Sequence, residues 1–317
     1  MVTGVKSVDL HQHLWPEAVL SVLERRSEAP RARRRHGRWQ VDLPGEPAFE
    51  IDPADHEPEQ RARNLEVDHA IVALSTPVGL EDLPARDALA AIAAWQQAAE
   101  SLPDELGWWA AAPAALPVGE QAEIVKQAVS NGAAGLALGA NRLASTAAAA
   151  QALPLLAAAA EAGVPVFVHP GPVAPSVAGA RQPAWWSPST DYVAQQHAAW
   201  HAFHAVVRPE LPSLRAVFAL LAGLAPLHVE RTAARGGPGD QESVHDPLVF
   251  YETSSYGPQG IRAIATAVGI GQLVHGSDFP VAEERPDAVE SAFCRELADV
   301  VRRDAPARAL GYTWVPA

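Results

Sequence analysis

Short runs of Val, Ile, Leu and Phe alternate along the chain with longer, Ala-rich stretches. Several short runs, such as VPVFV at 164–168, are apolar at every position, which is typical of strands buried on both faces of a parallel sheet. We predict eight strands, at 7–13, 69–75, 107–112, 135–139, 164–169, 216–221, 248–253 and 272–276. The helices predicted between them include 85–101, 119–131, 147–162, 192–207 and 286–303.

Repeated strand–helix units of this kind form parallel strands joined by right-handed crossovers. Eight such units predict a closed ring more than an open sheet, so the expected class is α/β, a (β/α)8 TIM-like barrel. No linker divides the 317 residues, so 1–317 is predicted to be one domain. Active sites of such barrels lie at the C-terminal ends of the strands.

Two Pro-rich stretches, 31–59 and 170–191, interrupt the alternation. Long loops without secondary structure are uncommon unless they are functional or disordered. Because both follow predicted barrel strands, we interpret them as lid-like or substrate-binding loops, with variable surface loops as the alternative. The second contains Trp185 and Trp186, whose rings are costly to leave in water, so both are predicted to contact substrate.

The overall charge narrows the class of partner. A formal net charge of −13 and a pI near 5.3 disfavour nucleic acid and anionic membranes. The basic run RARRRHGR at 31–38 is interpreted as a solvated loop, with contact to an acidic partner as the alternative. A small-molecule substrate is therefore expected, in a protein that forms a homodimer, the commonest symmetric assembly.

The single cysteine, Cys294, allows neither an intramolecular disulfide nor a Cys-based zinc site. It lies in an amphipathic stretch, which predicts a buried structural thiol. The N-terminal residues do not resemble a signal peptide, and no apolar run reaches membrane-spanning length. These observations lead us to expect a cytoplasmic protein.

Candidate metal ligands lie at the ends of three predicted strands. Alternation along the first strand places Asp9, His11 and His13 on one face, where two imidazoles one pleat apart can bind the same ion. His169 ends the fifth strand, and Asp278 follows the eighth. Three imidazoles and one carboxylate suit a single divalent metal, with Zn2+ preferred and Mn2+ as the alternative. Asp9 is expected to orient a ligand or to support packing.

The segments that carry these residues are DLHQHLWP, VPVFVHPGP and VHGSDFP. In series they resemble the signatures of the amidohydrolase superfamily, nearest to the branch that includes aminocarboxymuconate-semialdehyde decarboxylase and related aromatic-acid decarboxylases and hydrolases. The resemblance spans nearly the whole chain. It implies a distorted (β/α)8 barrel whose single metal is held by His11, His13, His169 and Asp278.

One position departs from the family pattern. Members usually carry a His at the end of the sixth strand, close to the substrate, where this chain has Leu220. Either Asp278 handles the proton alone, or another imidazole substitutes, or the chemistry is changed or lost. The candidate substitutes are His197, His201 and His228, although packing or surface roles are the simpler interpretation for the helical pair.

Three functions follow from this pattern. The leading hypothesis is metal-assisted hydrolysis of a small cyclic or aromatic carbonyl compound, with Asp278 as the base that accepts a proton from water. The second is non-oxidative decarboxylation of an aromatic or unsaturated acid, for which Arg181 or Arg142 would bind the carboxylate. The third, motivated by Leu220, is a barrel that only binds a ligand. An aromatic pocket is expected from the following side chains: Trp15, Trp185, Trp186, Tyr256 and Phe279.

Overall fold

A computed structural model describes residues 6–174, 182–237, 241–282 and 288–311. Its largest feature is an eight-stranded parallel sheet in which each strand pairs with the next strand of that sheet along the chain. The barrel strands are β1 (Val8–His13), β5 (His69–Ala73), β6 (Leu106–Ala110), β7 (Gly135–Gly139), β8 (Val166–His169), β9 (Ala216–Phe218), β10 (Val249–Glu252) and β11 (Leu273–Val274). All eight predicted strands are therefore present.

The segment that follows β11 closes the ring against β1. The Leu10 amide donates to the His275 carbonyl at 3.0 Å, and the His13 amide donates to the Phe279 carbonyl at 2.8 Å. Gln12 and Phe279 form an isolated parallel bridge between these hydrogen bonds. The first and last strands are thus neighbours, as the (β/α)8 barrel requires.

Helices surround the barrel. They are α1 (Glu17–Glu24), α2 (Pro58–Arg63), α3 (Ala85–Ala99), α4 (Val118–Ser130), α5 (Thr146–Glu161), α6 (Trp186–Ser189), α7 (Asp191–Ala202), α8 (Arg208–Glu210), α9 (Val229–Ala233), α10 (Gln241–Val244), α11 (Pro258–Val268), α12 (Ala288–Ala292), α13 (Arg295–Asp299) and α14 (Ala305–Leu310). Phe203–Val207 and Val300–Asp304 are π-helical. Within the described residues, no helix combines the length and apolar character needed to span a bilayer.

The prediction of one helix over 286–303 is wrong in detail. The described part of this stretch breaks between α12 and α13, where Cys294 has extended backbone angles and precedes the first turn of α13. Cys294 is exposed, so the prediction of a buried structural thiol is also wrong. The amphipathic pattern is shared by two short helices, and the cysteine lies in the turn between them.

The composition of the stretch 31–59 predicted a loop without secondary structure, and this prediction is wrong. It contains a three-stranded antiparallel sheet made of β2 (Arg31–Arg35), β3 (Arg38–Asp42) and β4 (Phe49–Ile51). The basic run forms β2 and the turn into β3, and the Arg34 guanidinium lies 4.4 Å from the Trp39 ring centroid. Long basic side chains can cover an aromatic ring in this way while keeping their charge in water.

The barrel interior is filled below the strand ends. Trp109 stacks on Phe167 at 5.2 Å between ring centroids, and the Trp109 indole donates to the Leu10 carbonyl at 3.0 Å. Both rings are buried, so the interior is a packed core and not a channel. This core supports the groups at the open end of the barrel.

Candidate active site

The four predicted ligands meet at the C-terminal end of the barrel. Asp278 Oδ1 lies 3.2 Å from His11 Nε2 and 3.1 Å from His13 Nε2, and the two Nε2 atoms are 3.2 Å apart. A potential ligand atom of His169 joins them, with all four ligand atoms within 4.8 Å of one another. The strands thus bring together residues that are up to 267 positions apart in the sequence.

Each imidazole uses its other nitrogen to hold its orientation. His11 Nδ1 lies 3.1 Å from Glu252 Oε2, and His13 Nδ1 lies 3.3 Å from the Ala73 carbonyl. His169 Nδ1 lies 2.8 Å from Thr76 Oγ1, whose hydroxyl donates to the Pro170 carbonyl. Because these partners accept hydrogen bonds, each ring in its neutral form carries its proton on Nδ1. The Nε2 lone pairs are left for a metal.

The electrostatics of the cluster favour a cation. Burial lowers the pKa of His11, but the carboxylates of Asp278 and Glu252 outweigh burial and raise it to about 10. Burial itself raises the pKa of the Asp278 carboxyl, but the neighbouring His11 and His13 lower it far below its usual range. Burial, followed by the proximity of His11 and His13, lowers the pKa of His169 and keeps that ring neutral. A buried site that contains two carboxylates attracts positive charge.

The donor set fits one divalent metal. Atoms bound to one ion at about 2.1 Å lie about 3.0–3.4 Å apart at bond angles of about 90–109°. The separations of 3.1 and 3.2 Å among His11, His13 and Asp278 are close to this range, and the His169 atom lies within 4.8 Å of the other three. Asp278 Oδ1 is buried and has no hydrogen bond of suitable geometry within the described residues. Buried polar atoms are rarely left without a partner, and a cation at the centre of the cluster would supply one. The cluster therefore has the composition and spacing of a single metal centre.

Asp9 anchors the loop that carries Asp278. Its carboxylate accepts from the His11 amide at 3.0 Å, from Gln12 Nε2 at 2.8 Å, and from both the amide and the hydroxyl of Ser277, at 3.1 and 2.6 Å. Asp278 itself has a left-handed backbone with φ of 60°, and its amide donates to the His11 carbonyl at 2.8 Å. Among the described residues, the Asp9 carboxylate has no hydrogen bond to the imidazoles of the cluster; it connects β1 to the Asp278 loop.

A cavity of about 600 Å³ opens above the cluster. Its floor contains the four ligand residues, and its walls are largely apolar. The small sheet and the segment after it contribute several lining residues, among them Phe49, Ile51 and His56. The Tyr192 hydroxyl donates to Glu46 Oε1 at 2.7 Å, which ties α7 to the loop between β3 and β4. A cavity of this size, with apolar walls and a few polar groups, is typical of small-molecule sites.

Some of the residues predicted to contact substrate line the cavity, and others do not. Trp15 and Tyr256 line the cavity, whereas Phe279 packs against the Arg61 guanidinium at 4.4 Å from the ring centroid. Trp185 and Trp186 are 60% and 37% exposed, and their neighbours Ala184, Pro188 and Ser189 line the wall instead. Arg181 lies outside the described residues. Substrate contact by the Trp pair stays a prediction, as does the lid role of 31–59 and 170–191.

Leu220 lines the cavity, so the sixth-strand position where family members usually carry a His has no imidazole here. Leu220 begins a run of left-handed residues that ends at Leu224, and Gly223 approaches the Val193 carbonyl of α7 too closely for any Cβ. Left-handed angles at non-glycine residues are unfavourable, and they concentrate at functional sites. The tight packing of α7 against this turn holds Leu220 at the cavity.

The candidate substitutes for the missing imidazole lie elsewhere. The ring centroids of His197 and His201 are 4.9 Å apart, and those of His197 and His228 are 4.8 Å apart. None of the three lines the cavity. The structure therefore does not support the hypothesis that one of them replaces the sixth-strand His.

Arg142 is not placed to bind a substrate carboxylate in the cavity. Its guanidinium donates to Gln121 Oε1 at 3.0 Å, and it lines a separate small void with Glu81. Burial raises the pKa of Glu81 to about 7, and Oε1 of its carboxyl has no hydrogen-bond partner in the described chain. Arg142 does not line the cavity, so the structure does not support the hypothesis that it binds the substrate's carboxylate.

The buried Glu81 predicts a pH-dependent loss of stability. Its pKa is higher in the folded chain than the usual 4.5, so its contribution is fully present below pH 4.5 and is lost as the pH rises to about 7. Between pH 4.5 and pH 8, the wild type should lose about 2–3 kcal/mol relative to a Glu81→Gln variant. Urea unfolding at both pH values measures this difference. The matched control is Glu123→Gln, an exposed position on α4, and equal pH dependence of wild type and Glu81→Gln would contradict the prediction.

Two residues of the site, Glu252 and His56, were not predicted from the sequence. Glu252 is fully buried at the end of β10 and contacts His11, and His56 lines the cavity from the segment after β4. The sequence did contain a signal for Glu252, because this carboxylate lies at the end of a barrel strand. His56 carried no such signal, because it lies in a stretch that was predicted to be a loop.

The sequence profile of the family described as Amidohydrolase matches residues 8–305. The chain belongs to this family of enzymes. A search of curated proteins finds no match. The resemblance drawn from the three motifs is thereby confirmed, and the four clustered residues of this amidohydrolase lie within the matched range.

Solved structures share the fold of this amidohydrolase. IDCase from Metarhizium anisopliae has a TM-score of 0.80 and 18% identity, with 98% of this chain and 97% of that chain covered. The 5-carboxyvanillate decarboxylase of Sphingomonas paucimobilis has a TM-score of 0.68 and 14% identity, with 97% and 99% covered. A dihydroxybenzoic acid decarboxylase from Polaromonas, with bound manganese and the inhibitor 2-nitroresorcinol, has a TM-score of 0.67 and 14% identity, with 96% of each chain covered. At these identities the similarity establishes the architecture.

Proposed function

We propose that this amidohydrolase is a metal-dependent decarboxylase of a small aromatic or unsaturated carboxylic acid. The observation that carries the proposal is the largely apolar cavity placed directly above a three-imidazole, one-carboxylate cluster. Two of the similar structures are decarboxylases of aromatic acids by name, which supports the same chemistry. Hydrolysis, the leading hypothesis from the sequence, is not favoured by these similar structures.

The residues divide the work between binding and proton transfer. A divalent metal held by His11, His13, His169 and Asp278 would bind the substrate's carboxylate or an adjacent hydroxyl and stabilise the negative charge that develops. The apolar walls exclude water and strengthen this electrostatic interaction. As the carbon–carbon bond breaks, carbon dioxide leaves, and the electron pair that remains on the substrate carbon takes up a proton passed through Asp278.

Hydrolysis is the second candidate, and one observation favours it. The described residues that line the cavity include no Lys or Arg, whereas Glu50, Asp52 and Asp55 are among them. A neutral lactone, amide or ester needs no cation besides the metal. In that reaction Asp278 would accept the proton of the attacking water and return it to the leaving group.

Product analysis separates the two reactions. The enzyme, loaded with zinc or manganese after chelator treatment, is incubated with hydroxybenzoates and carboxyvanillate-type acids and, separately, with lactones, amides and esters. We expect metal-dependent release of carbon dioxide from at least one acid. Metal-dependent hydrolysis of a neutral compound, with no carbon dioxide from any acid, would refute decarboxylation and support the second candidate.

Two finer points remain proposals. Zinc is the proposed metal because three imidazoles and one carboxylate suit it, and manganese is the alternative because a similar structure contains it. Metal analysis of enzyme purified without added metal, followed by reactivation with each ion, tests the choice. We also propose a homodimer, which light scattering of the purified chain tests.

A further inference from the structure

His56 is the imidazole of the cavity that the cluster does not use. Four of the described residues that line the cavity are histidines, and three of them belong to the cluster. His56 ends a short 3-10 helix, Pro53–His56, that follows the small sheet. The side chain is 8% exposed, so it is a component of the wall and not of the outer surface.

The backbone of Trp15 fixes the tautomer of His56. The Trp15 amide donates to His56 Nδ1 at 3.0 Å, so Nδ1 is the acceptor and the ring proton of the neutral form is on Nε2. No described side chain or carbonyl forms a hydrogen bond with Nε2. Trp15 lies two residues after the ligand His13, so this hydrogen bond also holds the imidazole close to the end of β1.

The surroundings keep the ring neutral. Burial lowers the pKa of His56 to about 3, and the positive charge of Arg61 adds to this effect. The Arg61 guanidinium donates to the Asp55 carbonyl, to Gln12 Oε1 and to the His13 carbonyl, so it braces the segment before His56 against β1. His56 is therefore held rigidly as an uncharged hydrogen-bond donor.

The charges on the same wall define what such a donor can bind. Glu50, Asp52 and Asp55 line the cavity beside His56, and only Asp52 has an ion pair there, with Arg38 at 2.7 Å, among the described residues. An anionic group at this wall would be repelled by the carboxylates and would find no cation in the described lining. An uncharged oxygen, a hydroxyl or a carbonyl, can accept from Nε2 without that penalty.

We propose that His56 is a substrate-binding residue whose Nε2–H donates a hydrogen bond to an uncharged hydroxyl or carbonyl oxygen of the substrate. This inference rests on the proposed function, in which the carboxylate of the same molecule is held at the metal cluster. It assigns to the substrate one acidic end and one uncharged polar substituent. It also places a hydrogen-bonding imidazole in a cavity whose sixth-strand position is Leu220.

Two substitutions at this position separate binding from structure. In His56→Asn, the side-chain oxygen can replace Nδ1 as the acceptor for the Trp15 amide, but the side chain does not reach the position of Nε2. In His56→Gln, the amide reaches that position and keeps a donor there. The pair therefore tests the Nε2–H with the Trp15 contact as the internal control.

Calorimetric binding of benzoate and of 2-, 3- and 4-hydroxybenzoate to the zinc-loaded full chain provides the measurement. We expect at least one hydroxybenzoate to bind wild type and His56→Gln about tenfold more tightly than benzoate. In His56→Asn this advantage should fall below about threefold, with benzoate affinity unchanged. An equal advantage in wild type and His56→Asn, or no hydroxyl advantage in wild type, would overturn the proposal.

Nitrogen-detected proton correlation spectra of the histidine side chains give a readout that does not depend on turnover. We expect the His56 signals, assigned by their loss in His56→Asn, to show a protonated Nε2 and a bare Nδ1, and Nε2 to shift when the preferred hydroxybenzoate binds. A proton on Nδ1 would overturn the assignment. Hydroxyl selectivity without release of carbon dioxide would refute the proposed reaction and leave the role of His56 supported.

Discussion

The Asp278→Asn variant should lose its metal and nearly all of its activity. Asp278 is the one carboxylate among the four clustered residues, and the amide replaces its negative charge with a weak neutral donor. We expect metal affinity to fall by about 100-fold or more, since loss of a partner outside the ligand shell already costs about 10–100-fold. Turnover should fall by about 1000-fold, which corresponds to about 4 kcal/mol of transition-state stabilisation. Metal analysis after dialysis and steady-state kinetics measure both losses.

Glu252→Gln provides the graded comparison for this variant. Glu252 holds His11 through Nδ1 at 3.1 Å but is not a member of the cluster, so its amide should weaken metal binding by about 10–100-fold without abolishing it. Asn and Asp have the same shape, and the Asp278 amide keeps its bond to the His11 carbonyl. Unchanged circular dichroism would therefore show that the fold is intact. Stoichiometric metal and full turnover in Asp278→Asn would contradict the assignment of Asp278 as a ligand.

Most of the barrel could be predicted because its strands are buried on both faces. VFVH at Val166–His169 and HAIVA at His69–Ala73 are buried at every position, and such runs stand out against the Ala-rich helices. The small sheet could not be predicted, because β2 reads RARRR and only Ala32 within it is buried. Its strand conformation depends on pairing with β3, and the turn between them uses left-handed angles at His36 and Gly37. Tertiary pairing therefore overrides local composition there.

The residues of the site also include some that could be predicted from the sequence and some that could not. His11, His13, His169 and Asp278 could be predicted because the ends of barrel strands converge, so residues far apart in the sequence become neighbours. Glu252 also ends a barrel strand, but its contact with His11, 241 residues away, could not be predicted, because no local pattern along the chain pairs the two side chains. The Glu252 carboxylate lies against Gly276, where a Cβ added to the glycine would lie 2.1 Å from Glu252 Oε1. That complementarity exists only in the folded barrel.

The Asp9→Ala variant should be strongly destabilised and should also hold metal poorly. Asp9 is buried, and its carboxylate accepts four hydrogen bonds, two of them from Ser277, the neighbour of Asp278. Removing it leaves these donors without an acceptor in the barrel wall and takes away the negative charge near Arg61. We expect a loss of about 3–5 kcal/mol in the free energy of unfolding, measured in urea.

Ser277→Ala is the matched control, because it removes only the hydroxyl that donates to Asp9 at 2.6 Å and leaves the Ser277 amide in place. It should lower the free energy of unfolding by about 1 kcal/mol and leave metal stoichiometry unchanged. The two losses differ because the Asp9 carboxylate accepts four hydrogen bonds, whereas the Ser277 hydroxyl donates only one of them. If Asp9→Ala lost no more stability than Ser277→Ala and bound metal normally, the connection between β1 and the Asp278 loop would not depend on Asp9.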